Sequence, residues 1–178
     1  MRIAVLVAAL SVLASTAAAL ARATDDRPVG ELRGCGSRGE GRSPQKPPPT
    51  PGVRIGPLVF WSSIRIERRG SGNDTEWPFI IKAPVILPAR TKVVLAIPPE
   101  AQAVAGFQHR GTFVAAIRFV ACRERVPAFA YRGTVGKLTG FPFAIGLTRQ
   151  SACVPMEVWV DGQEKPLRRV VPVGRPSC

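Results

Sequence analysis

Proline and glycine interrupt this chain so often that few windows are long enough for a regular helix. The 178 residues include 18 prolines and 17 glycines, and both residue types disfavour a helix interior. From Val53 onward, short apolar runs alternate with turn signals, which is typical of strands. The sequence therefore predicts an all-β domain over residues 53–178, an antiparallel immunoglobulin-like sandwich of about eight strands stapled by disulfides.

The strand candidates are the apolar segments between these turn signals. They are residues 55–61, 63–67, 79–87, 91–97, 112–122, 141–148, 154–160 and 167–173. Several contain a proline, which has no backbone N–H to donate to a sheet. We therefore expect Pro84, Pro142 and the other prolines in these segments at strand starts, bulges or edges.

The segment 154–160 shows the clearest strand pattern. Its valines and methionine alternate with Glu157 and Trp159, which predicts one buried face and one solvent-exposed face. The Asp161-Gly162 pair that follows predicts a tight hairpin, because both residue types tolerate the required backbone. A rival pattern places a short helix over residues 100–107, after two prolines.

The first 23 residues resemble an export signal. One cation, Arg2, precedes an uncharged run over residues 3–21, and small residues near Ala21 and Ala23 offer cleavage sites. An uncleaved membrane anchor is the alternative, because the run approaches the roughly 20 residues that cross a bilayer. Since no second run is long enough to span, we expect a secreted or envelope-associated mature protein.

Residues 24–52 are rich in proline, glycine and arginine. Such a composition cannot bury a core. We expect an arm that is disordered apart from Cys35, with an extended polyproline spacer over residues 46–51.

Four cysteines lie at positions 35, 122, 153 and 178. In an exported chain an even number favours two disulfides over metal or redox chemistry, and three pairings are possible. We expect Cys122–Cys153 and Cys35–Cys178, because the second bond would fasten the arm to the end of the chain.

The charge is strongly positive, with 25 Lys and Arg against 12 Asp and Glu and a formal net charge of +13. Exported proteins rarely meet nucleic acid, so a cell-wall polyanion, anionic lipid or envelope protein is the expected partner. A solvated basic surface without a ligand is the alternative. The cations form three sequence clusters: Arg65, Arg68 and Arg69; Arg110, Arg118, Arg123 and Arg125; and Lys165, Arg168 and Arg169.

No motif indicates an enzyme. His109 is the only histidine, no serine lies in a Gly-x-Ser-x-Gly context, and the carboxylates show no recognisable catalytic spacing. We therefore predict no catalytic residue, cofactor or metal. The candidate ligand contacts are Trp159, on the polar face of its strand, and the cluster of Arg65, Arg68 and Arg69.

Several short blocks carry a family resemblance. They are residues 55–60, 83–88, 141–143 and 153–158, followed by Cys178. Over residues 53–178 the chain resembles small, uncharacterised exported β-sandwich proteins of G+C-rich actinobacteria, a resemblance that implies no activity. Together these features predict an exported cell-envelope binding or structural module. A hydrolase acting on a cell-wall polymer and an inhibitor or protein-partner domain are the alternatives.

Overall fold

Short strands form where apolar residues lie between the prolines and glycines. The computed structural model describes residues 27–39, 52–61, 76–128, 134 and 137–178. The predicted signal 1–23, the predicted strand 63–67 and the cluster of Arg65, Arg68 and Arg69 lie outside the described residues.

The described residues contain thirteen strands and two short 3-10 helices, Cys35–Ser37 and Pro99–Ala101. The strands are β1 (Glu31–Arg33), β2 (Arg54–Ile55), β3 (Leu58–Phe60), β4 (Phe79–Lys82), β5 (Val85–Pro88), β6 (Lys92–Ala96), β7 (Ala105–His109), β8 (Thr112–Val114), β9 (Ala116–Val120), β10 (Leu138–Phe141), β11 (Ala144–Leu147), β12 (Ala152–Val160) and β13 (Leu167–Val173).

These strands form three sheets. One has five strands in the order β1-β9-β6-β12-β13, and two have four, in the orders β10-β5-β3-β2 and β4-β11-β7-β8. Within the described residues every neighbouring pair is antiparallel except β1 with β9, which is parallel. The predicted all-β class is confirmed.

Two prolines divide predicted strands into shorter ones. Pro84 separates β4 from β5, and Pro142 separates β10 from β11, so each pair of halves joins two different sheets. The N–H of Ala83 still donates to the carbonyl of Phe143 at 2.8 Å, which carries the pairing past the break. The predicted segment 79–87 is therefore two strands, as expected from the missing proline donor. The predicted segment 141–148 contains β11 and only the last residue of β10, so most of β10 was not predicted.

The rival helix over residues 100–107 is wrong. One 3-10 turn, Pro99–Ala101, is followed by strand β7, in which Phe107 pairs with Ile145 of β11. A helix this short gains little stability from local propensity. Pairing with β11 therefore decides the conformation.

The hairpin at Asp161-Gly162 is confirmed. Gln163 N–H donates to the carbonyl of Val160 at 3.0 Å, and Gly162 has a φ of 80°, a value that glycine adopts without strain. The chain then returns as β13, antiparallel to β12.

Phenylalanines from all three sheets meet in the core. The Phe119 ring of β9 lies 5.1 Å from that of Phe141 and 5.7 Å from that of Phe143, between centroids. Phe107 and Phe60 contact Phe143 from other strands, at 5.2 and 6.2 Å. The alternating apolar residues of β12 are buried in the same cluster, which confirms its predicted dry face.

The N-terminal arm differs from the prediction. Residues 27–39 contain strand β1, whose pairing with β9 sets Arg33 opposite Phe119. This register brings Cys35 beside Cys122, and the two form a disulfide with a Cα–Cα distance of 4.7 Å.

The second disulfide joins Cys153 to Cys178, with a Cα–Cα distance of 5.7 Å. The presence of two disulfides is confirmed, but the expected partners, Cys122 with Cys153 and Cys35 with Cys178, are wrong. The reason is the parallel β1–β9 pair, a contact between segments far apart in the chain.

Candidate binding surface

Five basic residues gather around the Cys35–Cys122 disulfide. We call this cluster the basic end; its members are Arg38, Arg90, Arg123, Arg125 and Lys137. One acidic residue, Glu124, lies between Arg123 and Arg125 in the sequence. The cluster is built from four separate segments of the chain.

Backbone hydrogen bonds hold these segments together. Arg90 N–H donates to the carbonyl of Cys122 at 2.8 Å, and Ala89 N–H donates to the carbonyl of Lys137 at 2.6 Å. Arg38 uses its guanidinium to donate to the carbonyls of Cys35 and Pro127, each at 2.9 Å. Arg123 and Arg125 follow Cys122 directly along the chain. All five residues therefore lie where the ends of two sheets meet.

Four of these side chains are exposed and lack a carboxylate partner. Among the described residues, no Asp or Glu oxygen lies within 4.0 Å of Arg90, Arg123, Arg125 or Lys137. An unneutralised group of cations attracts polyanions, and guanidinium groups bind phosphate or carboxylate with two parallel hydrogen bonds.

The backbone of two of these arginines is in an unfavourable region. Arg90 has a φ of 63° and Arg125 a φ of 60°, and Arg110 is the other non-glycine residue with positive φ in the described part of the chain. The left-handed conformation costs an L-residue about 1–2 kcal/mol, which glycine avoids. The sequence thus carries charge at two turn positions where glycine would be less strained.

Trp159 lies on the predicted face of β12, but it is not exposed. Its side chain is covered by the N-terminal segment, so the residue is only 8% exposed, with the Arg27 guanidinium 5.9 Å from the ring centroid. Its Nε1 donates to Glu157 at 3.2 Å, and Glu157 also accepts from Arg168 at 2.9 Å. The expected exposure of Trp159 is wrong, because the N-terminal segment covers this face of the strand. Its role as a ligand contact stays a prediction.

The predicted charge clusters separate in the fold. Arg110 lies in the β7–β8 hairpin and Arg118 on β9, whereas Arg123 and Arg125 belong to the basic end. Lys165 is exposed in the loop before β13, and Arg169 donates to the carbonyl of Arg54 at 2.9 Å. Sequence reasoning missed Arg38, Arg90 and Lys137, which lie in three distant segments of the chain and come together only in the fold.

His109 is buried beneath the N-terminal segment. Its Nε2 lies 3.9 Å from Glu31, and its Nδ1 has no hydrogen-bond partner among the described residues. Burial and the nearby Arg33 guanidinium lower the pKa of His109, more than Glu31 raises it. The neutral form is therefore favoured. No group of three or more potential metal ligands occurs among the described residues.

Comparison with protein-family models, curated proteins and solved structures gave no significant match. The resemblance to exported actinobacterial proteins therefore stays a prediction. In the part of the chain that the structure describes, no helix has the length and apolar character required to cross a membrane.

Proposed function

We propose that the protein is an exported binding module that attaches to an anionic polymer of the cell envelope through the basic end. The observation that carries this proposal is the convergence of Arg38, Arg90, Arg123, Arg125 and Lys137 around one disulfide. A polymer with repeated phosphate or carboxylate groups matches such a cluster, because several contacts form on one chain.

The proposed complex is mainly electrostatic. The cations are exposed, so their attraction is screened by salt, with a Debye length of about 8 Å at physiological ionic strength. Binding of several anionic groups releases counterions, and affinity then falls steeply as salt rises. Rigid placement by two sheets and a disulfide lowers the ordering cost of binding.

The proposal includes an immunoglobulin-like sandwich as the scaffold and export as the route to the polymer. The support for the scaffold is the phenylalanine core, which receives side chains from all three sheets. The support for export is the pair of disulfides, since such bonds persist in oxidising compartments.

The test measures co-sedimentation of the protein with purified cell envelopes, and its affinity for sodium polyphosphate, over a range of salt concentrations. The test variant is Arg123→Gln with Arg125→Gln. The matched control is Arg149→Gln with Arg175→Gln, which makes the same change of net charge. These control arginines are exposed near the start of β12 and the end of β13, respectively.

The control positions lie at the other end of the five-stranded sheet. Strand β12 runs from Ala152 to Val160, about 26 Å at roughly 3.3 Å per residue. We expect the test variant to bind at least tenfold more weakly and to show a shallower salt dependence, while the control keeps most of its affinity. Equal losses in both variants would indicate nonspecific attraction to net charge and would refute the basic end as the site.

A further inference from the structure

A second surface lies on the outer face of the five-stranded sheet. Here the N-terminal segment 27–33, which we call the strap, lies over the sheet at residues 27–30 and joins its edge as β1. A groove of about 500 Å³ lies beside it. A volume of this size is within the range of small-molecule sites.

The strap is held close to the sheet at several points. A Cβ atom on Gly30 would lie 3.0 Å from the backbone nitrogen of Arg118 and 3.2 Å from Val94 Cγ1, so the strap backbone contacts β9 and β6 directly. Farther along, Arg27 donates to the carbonyl of Gln163 at 2.6 Å. The strap therefore forms one side of the groove, and strands β6 and β9 form its base.

The lining is largely aliphatic and partly open to solvent. Pro28, Val29 and Leu32 come from the strap, and Val94 and Val120 come from the sheet. Val29 is 84% exposed and Leu32 is 49% exposed, which makes them two of the four exposed large hydrophobic residues in the described part of the chain. Adjacent exposed aliphatic groups favour contact with an apolar ligand.

Three cations and one carboxylate also line the groove, and they are Arg27, Lys92, Arg118 and Asp161. Arg27 lies 3.8 Å from Asp161. Arg118 is exposed, and among the described residues no carboxylate oxygen lies within 4.0 Å of it. Lys92 Nζ lies 3.7 Å from Asp161, and both side chains are 59% exposed. Arg118 therefore offers an unneutralised guanidinium next to an aliphatic groove.

We propose that this groove binds a single-chain anionic amphiphile, with the head group at Arg118 and Lys92 and the aliphatic chain along Val29, Leu32 and Val94. Charge complementarity selects the occupant: a neutral chain leaves the Arg118 guanidinium unpaired, and a simple anion leaves the aliphatic walls exposed. The shared chemistry is one anionic head on one alkyl chain, whether the head is a phosphate or a carboxylate.

This inference does not depend on the proposed function. The groove uses none of the five residues of the basic end, and its ligand needs no repeated charge. Neutralising Arg123 and Arg125 should leave amphiphile binding unchanged, whereas neutralising Arg118 should weaken it at least tenfold. The two proposals therefore fail in different experiments.

The test is isothermal titration of the mature, disulfide-bonded protein with dodecyl phosphate and with dodecanoate, each below its micelle concentration. Dodecyl maltoside supplies the same chain with a neutral head, and inorganic phosphate supplies the head without the chain. The variants are Arg118→Gln and the double change Val29→Asn with Leu32→Asn. Arg149→Gln and Val170→Asn serve as matched exposed controls, and circular dichroism checks that each variant is folded.

We expect one saturable site for an anionic amphiphile, with at least a tenfold loss of affinity in both test variants and less than a twofold change in the controls. Preference between dodecyl phosphate and dodecanoate distinguishes a phosphate head from a carboxylate head. Equal binding of dodecyl maltoside, equal binding of inorganic phosphate, or unchanged binding by the folded Arg118→Gln variant would each overturn the proposal.

Discussion

The two disulfides should stabilise the protein by different amounts, because they close loops of different length. Replacing Cys35 and Cys122 with serine opens a loop with a sequence separation of 87, whereas replacing Cys153 and Cys178 opens one of 25. The loop-entropy model gives decreases in the free energy of unfolding of about 4.6 and about 3.5 kcal/mol, respectively. Loss of the Cys35–Cys122 bond also removes the anchor of β1, so we expect the first variant to be less stable.

The measurement is equilibrium unfolding in urea, followed by circular dichroism, for the native protein and both double variants at pH 7 without reductant. We expect the Cys35→Ser, Cys122→Ser variant to unfold at the lower urea concentration, with a difference of about 1 kcal/mol between the variants. Peptide mapping of the native protein provides the control for connectivity. A Cys35–Cys178 peptide, or a larger loss in the Cys153→Ser, Cys178→Ser variant, would refute the reasoning.

Three further predictions follow from single sites. Arg90→Gly should raise the free energy of unfolding by about 0.5–1 kcal/mol in urea titrations, because glycine adopts a positive φ without strain. It should also weaken polyphosphate binding. Arg110→Gly, the control, should raise the free energy of unfolding and leave polyphosphate binding unchanged. The pKa of His109 is lower in the folded protein than its ordinary value of 6.5, so the unfolded chain binds this proton more readily. The contribution of His109 to the free energy of unfolding should therefore be complete above pH 6.5 and decrease as the pH falls below it. His109→Gln should flatten that dependence in urea unfolding at pH 5 to 8. Gly146→Ala would place a Cβ atom against the ring of Phe113, and thermal unfolding should show a loss of stability of about 1–3 kcal/mol. An unchanged melting temperature would contradict this packing.

The alternation of apolar and polar residues, and the turn residues between the apolar runs, predicted much of the sheet structure. The β12 alternation, the Asp161-Gly162 hairpin and the segment 167–173 agree with the structure, because a strand's buried face and a turn's backbone depend on neighbouring residues. The pattern over residues 100–107 favours a short helix, but residues 105–109 form β7, because their conformation depends on pairing with β11 rather than on local propensity.

The candidate surfaces were harder to predict. Trp159 was placed on the correct face, but its burial depends on Arg27, more than 130 residues away in the chain. The basic end joins Arg38, Arg90 and Lys137 to the predicted pair Arg123 and Arg125. A pattern within one segment carries no information about which other segments will lie beside it.

The sequence by itself determined the all-β class, the presence of disulfides and the excess of positive charge, because these depend on composition and local periodicity. Tertiary structure alone decided which cysteines pair, what covers Trp159 and where the cations gather. The parallel pairing of β1 with β9 decided the first two, since it fastens the N-terminal segment across a sheet formed by distant residues. Such contacts depend on the free energy of the whole fold, which no local stretch of sequence determines.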